Sequence, residues 1–137
     1  MNAKEKDSKS PMVSIVDDDA SVRSSTRRLL RSSGLRAEAF ESAEDFLKSS
    51  QLGQTACLLL DVRMAGVDGL ELQRRLAEIG QRIPIIFLSA QASQEEESRA
   101  LRAGAADFLR KPVSKDVLLR ALHAVLNSAA NDPSKDL

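Results

Sequence analysis

Six polar side chains lie just after short runs of the sequence that are candidates for buried strands. They are Asp17, Asp18, Asp19, Asp61, Ser89 and Lys111. Carboxylates packed closely repel one another unless a cation lies among them. Oxygen ligands without histidine or thiolate suit Mg²⁺, which keeps some of its waters and leaves room for a phosphate. The lysine ammonium would then be the counter-charge of that phosphate.

Each of these residues also has a purely structural interpretation. Acids are favoured at helix starts, so the run Asp17–Asp19 could cap the next helix, with Asp19 as the expected cap residue. Asp61 and Ser89 could be turn residues, and Lys111 a solvated lysine. Their occurrence at successive strand ends favours one common site, because ligands bind at the carboxyl ends of strands in open parallel sheets.

The apolar runs before these residues predict a parallel sheet. Met12–Val16, Cys57–Leu60 and Ile85–Leu88 are continuous rather than alternating, which is typical of strands buried on both faces. Arg36–Phe40 alternates polar and apolar residues, as an exposed edge strand does, and Asp107–Leu109 is a short fifth candidate. Five strands are therefore expected.

Helical patterns separate the five strands. Ser42 is the expected cap of a helix over Ala43–Lys48, and Ser93 with Glu96 forms a capping-box pattern. Apolar stripes mark three further helices: Val22, Thr26, Leu29 and Leu30; Leu72, Leu76 and Ile79; and Val117, Leu118, Ala121, Leu122 and Val125. The strand–helix pair thus occurs five times.

This alternation predicts an α/β domain with an open parallel sheet and helices on both faces. The second and fifth strands have the character of edges, which fits the flavodoxin-like order 2-1-3-4-5. We predict a single (βα)5 domain over residues 12–127. A polar tail is expected at residues 1–11, and a tail or linker stub at residues 128–137.

Composition excludes several classes of function. The chain has 137 residues, with 20 basic and 20 acidic side chains, so it offers no field of one sign to nucleic acid or to an anionic membrane. No apolar run approaches the ~18 residues of a membrane span. Cys57 and His123 are the only cysteine and histidine, which excludes thiolate or histidine metal clusters. A cytoplasmic protein is expected, without direct nucleic-acid or membrane contact.

Four motifs resemble the receiver domain of bacterial two-component response regulators, the CheY-like domains. The motifs are IVDDD (Ile15–Asp19), LLLDVRMAGVDGLEL (Leu58–Leu72), PIIFLSA (Pro84–Ala90) and AGAADFLRKPV (Ala103–Val113). The resemblance covers nearly all of residues 12–127. SAEDFL (Ser42–Leu47) is also similar to FixJ-like receivers that precede LuxR-type DNA-binding domains.

The resemblance implies a phosphoacceptor and a metal site. Asp61 matches the aspartate that is phosphorylated. Asp17 and Asp18 match the acidic pair that holds Mg²⁺, with Asp18 as a direct ligand and Asp17 acting mainly through water. Asp61 and the backbone carbonyl of Arg63 would supply the remaining protein ligands.

It also implies residues that read or modulate the phosphoryl group. Ser89 and Lys111 match the positions that contact its oxygens, and Phe108 lies at the aromatic switch position. Arg63 and Gln91 are expected to modulate the lifetime of the phosphoryl group, and Arg63 could screen it from attacking water.

The implied function is phosphoryl transfer from a sensor histidine kinase. The Asp61 carboxylate would attack phosphorus in line, while Mg²⁺ and Lys111 neutralise the charge on the equatorial oxygens. Such a protein catalyses its own phosphorylation and slow dephosphorylation, and it is not an enzyme for a separate substrate.

The fourth predicted helix, about Ser93–Ala103, has the weakest apolar stripe, with Leu101 its only large aliphatic residue. Switching elements come from such weakly anchored parts of a structure. Phosphorylation is therefore expected to remodel the face made by the fourth helix, fifth strand and fifth helix, through Ser89 and Phe108. Homodimerisation, or docking of a DNA-binding output domain in a longer parent chain, would follow there.

Three alternatives use related chemistry or folds. A haloacid-dehalogenase-type phosphohydrolase also forms an aspartyl phosphate, but it needs a second acid where this chain has Arg63. A flavodoxin is disfavoured because the first loop is not rich in Ser and Thr and the chain has no Trp or Tyr. The main alternative is a receiver-fold interaction module that signals without phosphorylation, which is disfavoured because every site position carries competent chemistry.

Overall fold

The computed structural model describes residues 10–130, in which five strands alternate with five α-helices. The strands are β1 (Met12–Val16), β2 (Arg36–Phe40), β3 (Thr55–Leu60), β4 (Ile85–Ser89) and β5 (Asp107–Arg110). The helices are α1 (Ala20–Ser32), α2 (Ala43–Lys48), α3 (Gly69–Glu78), α4 (Gln94–Arg102) and α5 (Lys115–Ala130), and a 3-10 turn at Leu52–Gln54 precedes β3.

The sheet is parallel, with the strand order β2-β1-β3-β4-β5. This confirms the expected α/β fold with the flavodoxin-like order. The strands differ from expectation only at their ends. β3 begins at Thr55, whose backbone pairs with Met12 of β1, and β4 and β5 end at the paired residues Ser89 and Arg110. Backbone pairing, not side-chain polarity, decides where these strands stop.

The core consists of two layers, one on each face of the sheet. On one face Ile15 and Leu59 pack with Leu30 of α1 and Leu122 of α5. The other face packs against α2, α3 and α4 through a larger set of buried side chains, which includes Phe46, Leu58, Leu60, Leu72, Phe87 and Ala100. Successive residues of one strand thus enter opposite layers. This explains why the central strands are apolar at nearly every position, with Ser14 of β1 as a buried polar exception.

Local capping signals start the helices as predicted. Asp19 caps α1 and Ser42 caps α2 through their side-chain oxygens. Ser93 and Glu96 form the complete capping box at the start of α4. Each of these contacts joins residues within three positions of one another, so the sequence pattern is sufficient to predict them.

Two residues of the expected apolar stripes face solvent instead of the core. Ile79 is 57% exposed and Val117 is 41% exposed. Ile79 is the C-cap residue that follows α3, and Val117 lies in the first turn of α5. Leu101 is also exposed, so Ala100 is the only buried residue of α4. Helix α4 is the weakly anchored helix that its sequence predicts.

The predicted tails fall largely outside the described residues. Residues 1–9 and 131–137 are not described, while α5 continues through residues 128–130. Among the helices of residues 10–130, none combines the length and apolar character needed to cross a membrane.

Candidate functional site

The carboxyl ends of β1 and β3 bring three acidic side chains together. One carboxylate oxygen from each of Asp17, Asp18 and Asp61 lies within 4.8 Å of the others. Asp17 and Asp61 are buried, whereas Asp18 is exposed. The Asp61 backbone N–H donates to the carbonyl of Val16 at 3.0 Å. This bond continues the β1–β3 pairing past the strand ends and holds Asp61 beside Asp17.

Lys111 follows β5 and reaches the acidic cluster. Its Nζ atom lies 2.8 Å from the Oδ2 atom of Asp17 and 3.7 Å from the Oδ2 atom of Asp61. Burial lowers the pKa of Lys111, but the hydrogen bond to Asp17 and the negative charges of Asp17 and Asp61 outweigh it, so the pKa is raised above its usual value. The ammonium is therefore charged at neutral pH.

Burial raises the pKa of Asp61 above its usual value. The negative charge of Asp17 raises this pKa further, and the ammonium of Lys111 partly offsets both effects. Three carboxylates face a single ammonium, so the cluster has excess negative charge. Hard oxygen donors with excess negative charge suit a divalent cation such as Mg²⁺.

The hydrogen bonds of Asp17 distinguish it from Asp18. Its Oδ1 atom accepts from the backbone N–H of Asp19 at 2.9 Å, and its Oδ2 atom accepts from Lys111 at 2.8 Å. Arg23 donates to the Asp17 carbonyl at 2.8 Å and so ties α1 to this loop. Because both carboxylate oxygens of Asp17 are engaged, this geometry fits a residue that acts on a metal through water.

Ser89 places a buried hydroxyl at the end of β4, the strand between β3 and β5. The residue is 0% exposed, and its Oγ atom has no hydrogen-bond partner in the described structure. The Ser89 carbonyl accepts from the backbone N–H of Lys111 at 3.0 Å, so the hydroxyl and the ammonium belong to adjoining backbone positions. A buried polar atom without a partner requires an explanation, and a bound anionic group is one.

Phe108 is buried on β5, where its ring contacts both another aromatic ring and a cation. Its ring stacks on that of Phe87 of β4, with 5.6 Å between the ring centres. The guanidinium of Arg110, also on β5, lies 5.4 Å from the centre of the Phe108 ring. Arg110 also donates to Glu97 of α4 at 2.8 Å and to the carbonyl of Ala92. Arg110 therefore connects the expected switch residue Phe108 to the start of α4.

Sequence reasoning missed this role of Arg110. Residues two positions apart in a strand lie on the same face, so the pair Phe108 and Arg110 was a usable signal. The contact with Glu97 had no comparable local signal, because the two residues are 13 positions apart.

The two residues that are expected to modulate the phosphoryl lifetime, Arg63 and Gln91, have different surroundings in the structure. The Arg63 backbone N–H donates to the Oδ1 atom of Asp61 at 3.4 Å, but its guanidinium lies 2.7 Å from the Oε1 atom of Glu96 in α4. Gln91 is exposed, and no hydrogen bond joins its side chain to any residue of 10–130. The modulating roles of Arg63 and Gln91, and the ligand role of the Arg63 carbonyl, stay predictions.

Gly69 is a further residue of the site that sequence reasoning missed. It is the first residue of α3, and its N–H donates to the carbonyl of Val62 at 2.9 Å. A Cβ atom on Gly69 would lie 2.2 Å from the backbone oxygen of Asp61. Only glycine therefore lets α3 begin this close to the backbone of Asp61. The Asp68–Gly69 pair marks the helix start in the sequence, but not the contact.

Cys57 and His123 are not part of the cluster. Cys57 lies in the buried core on β3, where burial raises the pKa of its thiol to about 12. Since the thiolate is the reactive form, this residue is inert. His123 is exposed on α5, as expected.

The sequence matches a known family and several curated proteins. The family described as the response regulator receiver domain matches residues 13–123 of the chain. The chain is 47% identical over 114 residues to the transcriptional regulatory protein TdiR of Thauera aromatica. The aligned segment covers 83% of this chain and 50% of TdiR. It is 42% identical over 123 residues to the response regulator protein TodT of Pseudomonas putida, covering 90% of this chain and 54% of TodT. The chain thus spans about half the length of these curated relatives.

The fold is also similar to solved structures of response regulators and receiver domains. The response regulator StyR aligns with a TM-score of 0.81 and 44% identity, over 88% of this chain and 61% of that chain. A CheY-like receiver domain protein from Methanospirillum hungatei JF-1 aligns with a TM-score of 0.80 and 25% identity, over 88% of this chain and 96% of that chain. The chain therefore belongs to the response regulator receiver domain family of two-component systems.

Proposed function

We propose that this receiver domain accepts a phosphoryl group on Asp61. The observation that supports the proposal best is the buried Ser89 hydroxyl, which has no hydrogen-bond partner in the described residues. It adjoins Lys111, whose ammonium is 3.7 Å from the Asp61 carboxylate. A phosphoryl group on Asp61 would supply the hydroxyl with an acceptor and the ammonium with a counter-charge.

The transfer is a nucleophilic displacement at phosphorus. A carboxylate oxygen of Asp61 forms a bond to phosphorus as the bond between phosphorus and the donor nitrogen breaks, and that nitrogen keeps the electron pair. Lys111 neutralises the charge of an equatorial oxygen, and Ser89 donates a hydrogen bond to another.

The acidic cluster fits Mg²⁺. Asp18, Asp61 and the backbone carbonyl of Arg63 would hold the ion directly, and Asp17 would act through water. When bound, Mg²⁺ offsets the repulsion between the carboxylates and the incoming phosphoryl group. The excess negative charge of the three carboxylates over Lys111 supports this assignment.

The proposed donor is the phosphohistidine of a sensor histidine kinase, and the domain catalyses its own phosphorylation and slow dephosphorylation. The proposed output is homodimerisation, or docking of a DNA-binding domain in a longer parent chain. The length of the relatives supports the longer chain, since this sequence covers about half of TdiR, a transcriptional regulatory protein.

The proposed switch face consists of α4, β5 and α5. Ser89 and Phe108 would report the phosphoryl group to α4. The support is the weak anchorage of α4, of which only Ala100 is buried, together with the link from Phe108 through Arg110 to Glu97. Exposed ion pairs contribute little to stability, so a helix with a single buried residue moves at small energetic cost.

The experiment is the mass shift of the intact protein with acetyl phosphate and Mg²⁺. The native chain should gain the mass of one phosphoryl group, and Asp61→Asn should gain none while keeping its circular dichroism spectrum. Asp45→Asn, which changes an exposed aspartate, should label as the native chain does. An unlabelled native chain would favour the alternative of a phosphorylation-independent interaction module.

A further inference from the structure

The guanidinium of Arg63 is bound away from the Asp61 carboxylate. Arg63 is two residues past Asp61, and its backbone N–H donates to the Asp61 Oδ1 atom at 3.4 Å. Its Nη2 atom instead lies 2.7 Å from the Oε1 atom of Glu96, at the first turn of α4. This ion pair joins residues 33 positions apart. The backbone of Arg63 thus belongs to the loop between β3 and α3 (residues 61–68, here the acceptor loop), while its side chain contacts the surface of α4.

The Glu96 carboxylate is held in place by two hydrogen bonds to the same oxygen atom. Its Oε1 atom accepts from the backbone N–H of Ser93 at 2.9 Å and from Arg63 at 2.7 Å. The Glu96 side chain is only 16% exposed, whereas that of Arg63 is 54% exposed. The hydrogen bond from the Ser93 backbone lowers the pKa of Glu96, so its carboxylate is charged throughout the neutral range. Glu96 is therefore the more buried and more firmly held member of the pair, and Arg63 is the more exposed one.

The neighbouring glutamates do not share this role. Glu97 pairs with Arg110 at 2.8 Å. The exposed side chain of Glu95 forms no hydrogen bond or ion pair within residues 10–130. Three adjacent acids thus have three different surroundings, and Glu96 alone contacts the acceptor loop in the described structure.

We propose that Glu96 is a positioning residue for Arg63, which keeps the guanidinium at α4 and away from a phosphoryl group on Asp61. The inference rests on the proposed phosphorylation of Asp61. Without the Glu96 charge, Arg63 loses its ion-pair partner while its backbone stays beside Asp61. Its long side chain then turns to the nearest strong anion, which is the phosphoryl group.

The step that Glu96 controls in this way is hydrolysis of the aspartyl phosphate. A water oxygen forms a bond to phosphorus as the bond from phosphorus to the Asp61 oxygen breaks. The Asp61 carboxylate leaves with the electron pair, and the water protons leave with inorganic phosphate or pass to solvent. A guanidinium bound to the phosphoryl oxygens blocks the path by which that water reaches phosphorus. Arg63 released from Glu96 therefore slows hydrolysis.

The test is a mutant cycle measured as the decay rate of the phosphorylated protein. Native chain, Glu96→Gln, Arg63→Ala and the double variant are labelled with acetyl phosphate and Mg²⁺, freed of the donor, and followed by intact mass. Glutamine also serves at this position of a capping box, so Glu96→Gln removes the charge without removing the helix cap. Glu95→Gln is the matched control, because it removes the same charge one residue away.

We expect Glu96→Gln to slow decay by about threefold or more, which is the effect of an exposed ion pair of ordinary strength. The same substitution should have no effect in the Arg63→Ala background, and Glu95→Gln should decay at the native rate. An equal effect in both backgrounds, no effect, or faster decay would each overturn the role of Glu96. A native chain that takes up no label would instead overturn the proposed function itself.

Discussion

The ammonium of Lys111 is closer to Asp17 than to Asp61, at 2.8 Å compared with 3.7 Å. Asp17 thus holds the ammonium beside the Asp61 carboxylate, and the other carboxylate oxygen of Asp17 accepts from the backbone N–H of Asp19 at 2.9 Å. A phosphoryl group on Asp61 would bring new anionic oxygens towards an ammonium that is already in place. Catalytic groups that are positioned in advance need little reorganisation during the reaction.

Replacing Lys111 with methionine should slow phosphoryl uptake from acetyl phosphate by about 10²-fold, the usual effect of losing one electrostatic contact to a transition state. The change keeps the aliphatic stem and removes only the charge. The rate of mass increase measures it. Lys115→Met, at an exposed lysine of α5, is the control and should label normally. Equal rates for both variants would exclude Lys111 from the transfer.

Replacing Asp18 with asparagine should weaken Mg²⁺ binding by about tenfold or more, because a site of few carboxylates and several waters depends on each charge. Competition with Mn²⁺, followed by electron paramagnetic resonance, measures the affinity. Asp19→Asn is the matched control, since Asp19 caps α1 and asparagine caps equally well. If the two variants bind alike, Asp18 is not a ligand.

Removing the Arg110 side chain should loosen α4. Arg110 joins β5 to Glu97 and to the carbonyl of Ala92, and it covers the ring of Phe108. In Arg110→Ala, the backbone amides of α4 should exchange their hydrogens with solvent several times faster. An increase of this size is what the loss of one or two exposed ion-pair contacts would cause. Arg102→Ala, on the exposed side of α4, should leave exchange unchanged. Unchanged protection in both variants would show that Arg110 does not anchor the helix.

Replacing Gly69 with alanine should destabilise the protein by about 1–3 kcal/mol, the usual cost of overpacking. Alanine favours helices by about 1 kcal/mol over glycine, so the close contact with the Asp61 oxygen decides the sign. Urea unfolding measures the free energy. Gly53→Ala is the control, because a Cβ there would meet nothing within 4 Å. Equal midpoints for the two variants would contradict the contact.

The thiol of Cys57 should resist alkylation in the folded protein up to high pH, because burial raises its pKa to about 12. Iodoacetamide at pH 9 should label Cys57 rapidly in urea and only through unfolding in buffer. The unfolded thiol ionises at lower pH than the folded one, so the free energy of unfolding should fall as pH rises from about 9 to about 12. Cys57→Ala should show a smaller fall in this range. Rapid labelling without urea would refute the burial.

Local patterns were sufficient for the elements and for the set of acidic residues. Runs rich in apolar residues identified β1, β3 and β4, because strands covered on both faces need apolar side chains at most positions. The buried Ser14 of β1 is satisfied by a hydrogen bond with the Thr55 side chain. The residues after these runs then belong to one edge of the sheet, which is why Asp17, Asp61 and Ser89 could be assigned to one site. The caps Asp19 and Ser93 act within three residues, so their partners are visible in the sequence.

Tertiary structure alone decided which distant side chains meet. The pairing of Arg63 with Glu96, of Arg110 with Glu97, and the contact of Gly69 with the Asp61 backbone have no local signature. Each depends on how a helix lies on the sheet. Composition likewise left the three glutamates of α4 as one charged run. Two charged side chains form an ion pair only when packing brings the surfaces that carry them within a few ångströms. The spacing of the two residues along the chain does not encode that distance.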